Sequence, residues 1–516
     1  MKRPTLIAQG SLQRMTEAAE FAWSEKKFPE AIETMERASL LAPFNPAILL
    51  RLGSMHGLRY DYAAAGYCFD KVLRLTPHKL EGLVAVVNHC QSFRNPDLPE
   101  HYLRLALEQP DATSSVFVTL AELYERRHRL PEALELVERA LHLDSSFPAA
   151  LLVRARLERL TGRLEIAEAT LRSFLSVPAP NSWVQVQAWY ELGTVLDRQS
   201  RFDEAMDAFL QAKQRQLPQA DRMPDLRGKI RFIIKEQEEK ITAVQLQRWF
   251  ENLPALNPHR RLALLGGYAR AGTTLLEQIL DAHPDIVAAE ETNVFIEDAL
   301  PPLNCDLARP SAWVESLDTA GIAALEKSRT VYFRSMDSLT GNSLAGRLLL
   351  DKNPMFTYLL PAFIRIFPET KFLIALRDPR DVVISRFMQI RPVTPTSGDS
   401  YLSLTGTVAD YALFMGFWQK LAPLMPSPYL EVRYEDTVTN LEAIARRTLE
   451  FLGVPWHERV LKFDEHARHK IVFSPTYADV TQPVFKRAKG RWQHYQKYLE
   501  PHLPQLEPFV KAFGYH

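Results

Sequence analysis

A short loop between an apolar run and a helical pattern carries the residues best suited to binding an anion. The segment 262–280 reads LALLGGYARAGTTLLEQIL, in which Gly272 and Thr274 fit the phosphate-binding pattern G-x-x-x-x-G-K-[ST]. Thr273 stands in the lysine position of that pattern, and the cation of the loop is Arg270. Backbone amides at a helix N-terminus, two hydroxyls and a forked guanidinium therefore predict an anion site. The alternative is an ordinary strand-to-helix turn in which glycine supplies a positive φ.

Two further segments hold residues that could take part in the same chemistry. In LIALRDPRDVVISRF, Arg377 leaves an apolar run and Ser385 follows within a helical pattern, so both could converge on one phosphate. In AHPDIVAAEETNVF, Glu291 follows a short apolar run, and a carboxylate held near an anion site could act as a general base. The alternatives are a surface ion pair of Arg377 with Asp378 and a solvated acidic pair of Glu290 with Glu291.

These side chains need a scaffold that brings distant segments together, and the second half of the chain has the pattern of one. Short apolar runs alternate with helical segments, which predicts a parallel sheet covered by helices on both faces. In such sheets ligands lie beyond the carboxyl ends of the strands. The predicted strands are 260–267, 346–354, 371–379 and 429–436. The polar residues at their ends are Arg270, Thr274, Asp351, Lys352, Arg377, Arg380, Tyr434 and Glu435.

The first half of the chain has a different organisation, because small residues recur there on a grid of 34 residues. The residues on this grid are Ala31, Ala65, Ala133 and Ala167. Pro99 occupies the intervening slot, and Ala205 comes four residues late, which predicts an insertion around SVPAPNSW. Leu-Gly pairs at 52–53 and 192–193 mark the partner helices. A small residue in one helix lets the partner helix approach closely.

This period resembles the tetratricopeptide repeat (TPR) family over about residues 12–217. The resemblance implies an all-α superhelix of stacked helix pairs, since one repeat cannot bury its own apolar face. It also implies an interaction surface, with a protein or peptide ligand on the concave face. The alternative is a helical bundle without repeats.

Length and charge limit the classes of partner. The 516 residues exceed one typical core, and we predict a repeat array at 1–217, a helical connector at 218–258 and a sheet domain at 259–516. Lys plus Arg and Asp plus Glu both number 62, so the zero formal charge argues against nucleic acid and anionic membranes as partners. The three cysteines match no metal spacing, and no apolar stretch approaches the roughly 18 residues that span a bilayer. We therefore expect a soluble, cytoplasmic protein.

The motifs of residues 259–500 together resemble the sulfotransferases that use 3′-phosphoadenosine 5′-phosphosulfate (PAPS), above all the tyrosylprotein sulfotransferases and the bacterial TPR–sulfotransferase fusions. The family loop P-R-S-G-T-T corresponds to ARAGTT, and the family segments D-A-H-P and G-E-E-T correspond to DAHP and AEET. The K-[DN]-P, R-D-x-R and Y-E motifs correspond to KNP, RDPR and YE. The segment TYADVTQPVFKRAKGRW resembles the loop that closes over the nucleotide. The resemblance implies a P-loop-like α/β sulfotransferase domain with a central parallel sheet.

The resemblance also implies how the donor is bound. The residues implied to cradle the 5′-phosphosulfate are Arg270, Ala271, Gly272, Thr273 and Thr274. The residues implied to bind the 3′-phosphate are Arg377 and Ser385, and those implied to contact the nucleotide from the far side are Tyr434, Thr476 and Arg491. Ala271 stands where the family has serine, so one hydroxyl donor is lost, and a hydrogen bond to a charged group is worth about 1.5–3 kcal/mol.

The catalytic roles follow from the same resemblance. Glu291 is implied to be the general base for the acceptor hydroxyl, while Lys352 and Arg270 offset charge on the departing phosphate. PAPS is the implied sulfate donor and PAP the product, and no metal is expected. His283 lies in the DAHP segment, and we interpret it as structural rather than as a base.

The acceptor and two rival functions stay open at this point. The acceptor could be a protein tyrosine, a glycan, a lipid or a small molecule, because the loops around 293–345 and 391–410 carry no legible code. One rival is a P-loop kinase, which would need the missing loop lysine and Mg²⁺. The other is a non-catalytic TPR scaffold that keeps a relic of a nucleotide-binding domain.

Overall fold

The computed structural model divides the chain into two compact units. The residues that it describes are 6–177, 183–224, 226–251, 254, 256–307, 309–341, 344, 346–395, 397–474, 477–485 and 487–516. One unit consists of Met1–Glu125, Arg129–Val153 and Arg334–Asn342, and the other of Arg126–His128, Arg154–Phe333 and Ser343–His516. The second unit therefore contains the last helices of the repeat region as well as the sheet.

The repeat region is helical, as predicted. Its helices among the described residues are α1 (Leu6–Ser24), α2 (Phe28–Leu41), α3 (Pro46–Leu58), α4 (Tyr62–Leu75), α5 (Lys79–Cys90), α6 (Asp97–Leu107), α7 (Ser114–Arg126), α8 (Leu130–Leu143), α9 (Pro148–Leu160), α10 (Leu164–Ser176), α11 (Trp183–Arg198) and α12 (Phe202–Ala220). Prolines in the first turn start α2, α3 and α8, because a proline there gives up an amide that has no partner in the helix. Most of the predicted insertion, residues 178–182, lies outside the described residues.

The small residues of the repeat pattern lie where neighbouring helices touch. The alanines that the pattern singled out are fully buried, and they are Ala31, Ala65, Ala133, Ala167 and Ala205. A Cβ added to Gly53 of α3 would lie 2.6 Å from the ring of Phe69 in α4, and one added to Gly193 of α11 would lie 2.7 Å from the ring of Phe209 in α12. Each glycine therefore makes room for an aromatic ring of the partner helix, which confirms the helix-pair prediction.

The second half contains the predicted parallel sheet, with five strands among the described residues. They are β1 (Leu262–Gly267), β2 (Ile286–Glu290), β3 (Leu348–Lys352), β4 (Lys371–Leu376) and β5 (Tyr429–Arg433), in the order β2-β3-β1-β4-β5. The three central strands are almost wholly buried, which explains their continuous apolar runs. β2 was not predicted as a strand, because its five residues at the sheet edge include two alanines and form only a short apolar run.

Helices precede, connect and cover these strands. They are α13 (Leu226–Lys240), α14 (Ala243–Glu251), α15 (Thr273–Asp281), α16 (Trp313–Thr319), α17 (Ile322–Leu339), α18 (Leu360–Ile366), α19 (Pro379–Phe387), α20 (Leu404–Leu421), α21 (Tyr434–Thr439), α22 (Leu441–Leu452), α23 (Phe463–Arg468), α24 (Gln496–Leu499) and α25 (Leu503–Ala512). Because all five strands are parallel, their carboxyl ends share one edge of the sheet. Across the described residues, none of the helices combines the length and the apolar character that crossing a membrane would require.

Candidate active site

The loop between β1 and α15 has the geometry of an anion-binding turn. Arg270 and Gly272 both have positive φ, 76° and 95°, and α15 begins directly after them at Thr273. A Cβ added to Gly272 would lie only 2.7 Å from the ring of Tyr434 at the start of α21. Only glycine therefore fits this position, and the turn leaves the first amides of α15 without helical partners, as an anion requires.

The residues predicted for the two ends of the donor lie together. Arg270 Nε donates a hydrogen bond of 2.9 Å to Ser385 Oγ on α19. Arg377 donates to the carbonyl oxygen of Arg270 at 3.2 Å and to that of Ala488. Its guanidinium lies 4.8 Å from the ring centre of Tyr434, and its Nε is buried without a hydrogen-bond partner among the described residues. These contacts bring β1, β4 and β5 together at the carboxyl edge of the sheet.

Positive charge accumulates in this region. Burial, assisted by the neighbouring cations Arg377, Arg491 and Arg386, lowers the pKa of Arg270 to about 10, although the carboxylate of Asp479 opposes the shift. Several guanidiniums held close together repel one another unless an anion compensates them. The Nε of Arg377, which has no partner among the described residues, and the closeness of these guanidiniums fit a ligand with anionic groups at two positions.

Lys352, at the end of β3, lies among three carboxylates. Its Nζ is 2.9 Å from Glu291 Oε1, 3.1 Å from Glu277 Oε2 and 3.6 Å from Glu290 Oε1. Burial alone would lower the pKa of Lys352, but Glu277, Glu291 and Glu290 outweigh it and raise the pKa. The lysine is therefore a fixed cation at the edge of the sheet, and its side chain is wholly buried.

The two glutamates that Lys352 contacts most closely have different surroundings. Glu291 follows β2, has a φ of 44° and keeps 38 % of its side chain exposed, while its amide donates to the carbonyl oxygen of Lys352 at 2.7 Å. Glu277 of α15 is fully buried, and this burial raises its pKa to about 8 even though Lys352 lowers it. Glu291 is thus the carboxylate that a second molecule can reach.

Glu290 and Glu277 are parts of this cluster that the sequence analysis did not assign to the site. Glu290 accepts hydrogen bonds from the amides of Phe473 and Ser474 at 2.8 and 2.7 Å, and Ser474 Oγ lies 2.9 Å from Thr274 Oγ1. Glu277 could have been noticed, because it is the one charged residue among the first eight of α15, one turn after Thr273.

The similarity of the chain to known proteins agrees with this geometry. A sequence profile described as the sulfotransferase family matches residues 263–458, and one described as the tetratricopeptide repeat matches residues 118–182 and 184–221. Protein-tyrosine sulfotransferase 2 of Gallus gallus is 31 % identical over 277 residues, which are 49 % of this chain and 69 % of that protein. The chain belongs to the sulfotransferase family.

Two further proteins match this sulfotransferase family member with different sequence identity and coverage. An uncharacterized protein of Aquifex aeolicus is 25 % identical over 79 % of this chain and 52 % of its own length. The solved sulfotransferase domain from the Synechococcus PCC 7002 olefin synthase is 21 % identical, with a TM-score of 0.34, and covers 51 % of this chain and 96 % of its own. The chain spans between about half and two thirds of the length of the curated relatives named here.

Of the three residues predicted to contact the nucleotide from the far side, the structure describes two. Tyr434 packs against Gly272 and Arg377, as described above. Arg491 begins a short 3-10 helix and forms an ion pair of 2.8 Å with Asp197 of α11, a partner that the sequence analysis did not anticipate. Thr476 lies outside the described residues.

The histidine of the DAHP segment is occupied by contacts with the backbone. His283 Nδ1 accepts a hydrogen bond of 3.0 Å from the amide of Asp285, so its Nε2 carries the proton and donates to the carbonyl oxygen of Pro455 at 2.8 Å. Both ring nitrogens are therefore engaged, and His283 anchors the turn between α15 and β2.

Proposed function

We propose that this protein is a PAPS-dependent sulfotransferase that transfers a sulfuryl group to an acceptor hydroxyl. The observation that carries the proposal is the pair of Lys352 and Glu291, 2.9 Å apart, at the same sheet edge as the anion-binding loop. A P-loop kinase would need a lysine within the loop, where this chain has Thr273. Here the buried cation comes instead from β3.

The residues at the sheet edge fit the two anionic ends of the donor. In this proposal the amides of α15, Arg270 and Thr274 hold the 5′-phosphosulfate, and Arg377 and Ser385 hold the 3′-phosphate. Arg377 Nε, which is buried without a partner among the described residues, is a suitable donor for such a phosphate. When bound, PAPS supplies the sulfuryl group and leaves as PAP.

Glu291 and Lys352 have separate tasks in the transfer. Glu291 accepts the proton of the acceptor hydroxyl while the new oxygen–sulfur bond forms and the bond from sulfur to the phosphate oxygen breaks. Lys352 stays protonated and offsets the negative charge that develops on the departing phosphate oxygen, as preorganised cations do at developing charge. Lys352 also donates a hydrogen bond of 2.9 Å to Glu291 Oε1 and so holds this carboxylate in place.

The acceptor belongs to the proposal as well. Several relatives are named protein-tyrosine sulfotransferases, which supports a tyrosine hydroxyl as the first acceptor to test. We assign catalysis to residues 259–516, and recruitment of a protein or peptide to the repeat array of 1–217. A glycan or small-molecule hydroxyl is the other outcome of the acceptor assay.

The test measures sulfate transfer from radiolabelled PAPS to tyrosine peptides, glycans and small hydroxyl compounds. We expect Glu291→Gln to lower kcat about 10²–10⁴-fold through loss of the base. We expect Lys352→Met to lower it about 10²–10³-fold through loss of charge stabilisation. Matched controls are Glu450→Gln on the exposed face of α22 and Lys371→Met at the opposite end of the sheet. Both controls should keep kcat within about twofold.

Two results would contradict the proposal. Equal transfer by wild type, Glu291→Gln and Lys352→Met would remove both residues from the reaction. Activity that is lost with EDTA and supported by ATP would indicate a kinase instead. Release of PAP, quantified by chromatography of the same reaction, reports donor turnover even when the acceptor is poor.

A further inference from the structure

The helical hairpin of α11 and α12 contacts the segment that carries Arg491. Asp197, in the last turn of α11, has its Oδ1 2.8 Å from Arg491 Nη2 and 3.3 Å from Arg491 Nε. The hydroxyl of Tyr495 donates to the same carboxylate oxygen at 2.5 Å. One aspartate of the repeat region therefore binds two side chains of the C-terminal segment, within the second compact unit.

The contact continues along both elements. The ring of Phe202, at the start of α12, stacks on His494 with centroids 4.2 Å apart and planes 10° apart. Asp203 follows it and forms an ion pair of 2.7 Å with Lys497. The Asp203 pair is exposed, and exposed ion pairs contribute little, so Asp203 is a natural reference for the partly buried contact of Asp197.

The backbone on either side of Arg491 is fixed by the sheet domain. Asp381 of α19 accepts hydrogen bonds from the amides of Gly490 at 2.7 Å and of Trp492 at 2.8 Å. The same helix carries Ser385, the partner of Arg270. Arg491 therefore has its main chain tied to α19 and its side chain tied to α11.

Arg491 also belongs electrostatically to the cation cluster. Burial is the main cause of the lowered pKa of Arg270, and the charge of Arg491 adds to it. Burial opposes the charge of Arg491 itself, but Asp197 outweighs that effect and raises the pKa of Arg491. Without a counter-charge, Arg491 would be repelled from the other guanidiniums before a ligand arrives.

We infer that Asp197 is a positioning residue for donor binding, which holds the Arg491 guanidinium beside the cation cluster before the nucleotide binds. The inference rests on the proposed function, because Arg491 serves PAPS only if the chain uses PAPS. Because the Arg491 side chain is already held in place, nucleotide binding loses less conformational entropy and is therefore tighter. This role of Asp197 makes the last helical hairpin of the repeat region part of the donor site, not only of a recruiting surface.

The experiment compares Asp197→Asn with the matched control Asp203→Asn. We expect Asp197→Asn to raise the KM for PAPS and the Kd for PAP about tenfold, because the variant weakens a charged hydrogen bond that positions Arg491 for binding. The kcat should change less than about threefold. Asp203→Asn should change the KM and the Kd less than twofold. Asp197→Glu, which keeps the carboxylate, should recover part of the affinity.

The outcomes separate this inference from the proposed function. If wild type binds no PAP, the proposed function fails, and the inference fails with it. If wild type binds PAP and the two asparagine variants behave alike, only the inference is overturned. Tighter binding by Asp197→Asn would also overturn it, since Asp197 would then compete with the nucleotide. If Asp197→Asn does not fold, Tyr495→Phe is tested instead, because it removes the other hydrogen-bond donor to the same oxygen of Asp197. About a threefold rise in the Kd for PAP would support the inference, whereas an unchanged Kd would contradict it.

Discussion

In the helical repeats and at the sheet edge alike, a glycine makes room for an aromatic ring, but the two glycines have different roles. At Gly53 the missing Cβ leaves room for Phe69, 2.6 Å from where that Cβ would stand. At Gly272 it leaves room for Tyr434 at 2.7 Å. Gly53 lies in a regular helix, whereas Gly272 has a φ of 95° in a loop that precedes a helix N-terminus.

The difference lies in what surrounds the two rings. Around Gly53 the buried neighbours include Leu52, Met55 and Cys68, which form an apolar cluster. Around Gly272 lie Thr274 and the guanidinium of Arg377, which packs on the ring of Tyr434. A glycine beside a ring is therefore a packing device in the repeats, and it becomes part of a site only where buried polar groups converge on it.

Alanine at each glycine should separate these two uses, and the effect at Gly272 is the largest that this comparison predicts. Gly272→Ala should lower kcat/KM for PAPS at least about a hundredfold, because a shift of about 1 Å in a binding loop has consequences of that size. Gly53→Ala should lower the free energy of unfolding by about 1–3 kcal/mol through overpacking against Phe69. It should leave kcat/KM for a small acceptor within about twofold.

Both variants are measured by urea unfolding and by steady-state kinetics on the folded protein. Gly272→Ala should also lose about 1–2 kcal/mol of stability, because a non-glycine residue is strained at this φ. Full activity of Gly272→Ala, or loss of activity in a folded Gly53→Ala, would contradict the assignment of the two glycines.

Two buried ionisable groups extend the comparison, because they make the stability of the protein depend on pH in opposite directions. The first is Glu277 in the site, whose pKa burial raises to about 8. Between the unfolded pKa of about 4.3 and this value the folded protein holds a proton that the unfolded chain has lost, so stability falls as pH rises. Glu277→Gln should remove a slope of up to about 1.4 kcal/mol per pH unit between pH 5 and 8.

The measurement is the free energy of unfolding of wild type and Glu277→Gln across that pH range. Glu442→Gln, on the exposed side of α22, is the control and should run parallel to wild type. Parallel curves for wild type and Glu277→Gln would mean that Glu277 is ionised in the folded protein as readily as in the unfolded chain.

The second group is Lys213 of α12, which is 2 % exposed and lies among aromatic rings. Its Nζ is 4.7 Å from the ring centre of Tyr401 and 5.1 Å from those of Tyr190 and Phe387. Burial, with a contribution from Arg386, lowers the pKa of Lys213 well below its usual value. The folded protein then holds fewer protons than the unfolded chain, so stability rises with pH up to the unfolded pKa of about 10.4.

Lys213→Met should remove this rise of the free energy of unfolding with pH, which amounts to at most about 1.4 kcal/mol per pH unit. Methionine keeps a side chain of similar length. The check is urea unfolding of both proteins between pH 7 and 10, with Lys511→Met on the exposed face of α25 as control. A variant that loses stability equally at every pH would show instead that the cation–π contacts of a charged Lys213 stabilise the fold.

Much of the architecture could be predicted from local patterns. The spacing of small residues indicated helix pairs around Ala31 and Ala65, and apolar runs indicated four of the five strands. The loop at Gly272 was recognisable because glycine spacing and a following helical period are properties of neighbouring residues. β2 was missed because a short edge strand with two alanines has little pattern of its own.

The sequence by itself therefore determined the classes of element and the residue types that each strand end carries. The tertiary structure decided which of them meet. Parallel register sets Glu290 opposite Lys352, and the packing of α15 adds Glu277 to the same cation. Asp197 and Arg491 are 294 residues apart, and no local period links them. Such contacts depend on how whole elements pack, because a charge buried among distant elements takes its partner from whichever side chain the fold brings within reach.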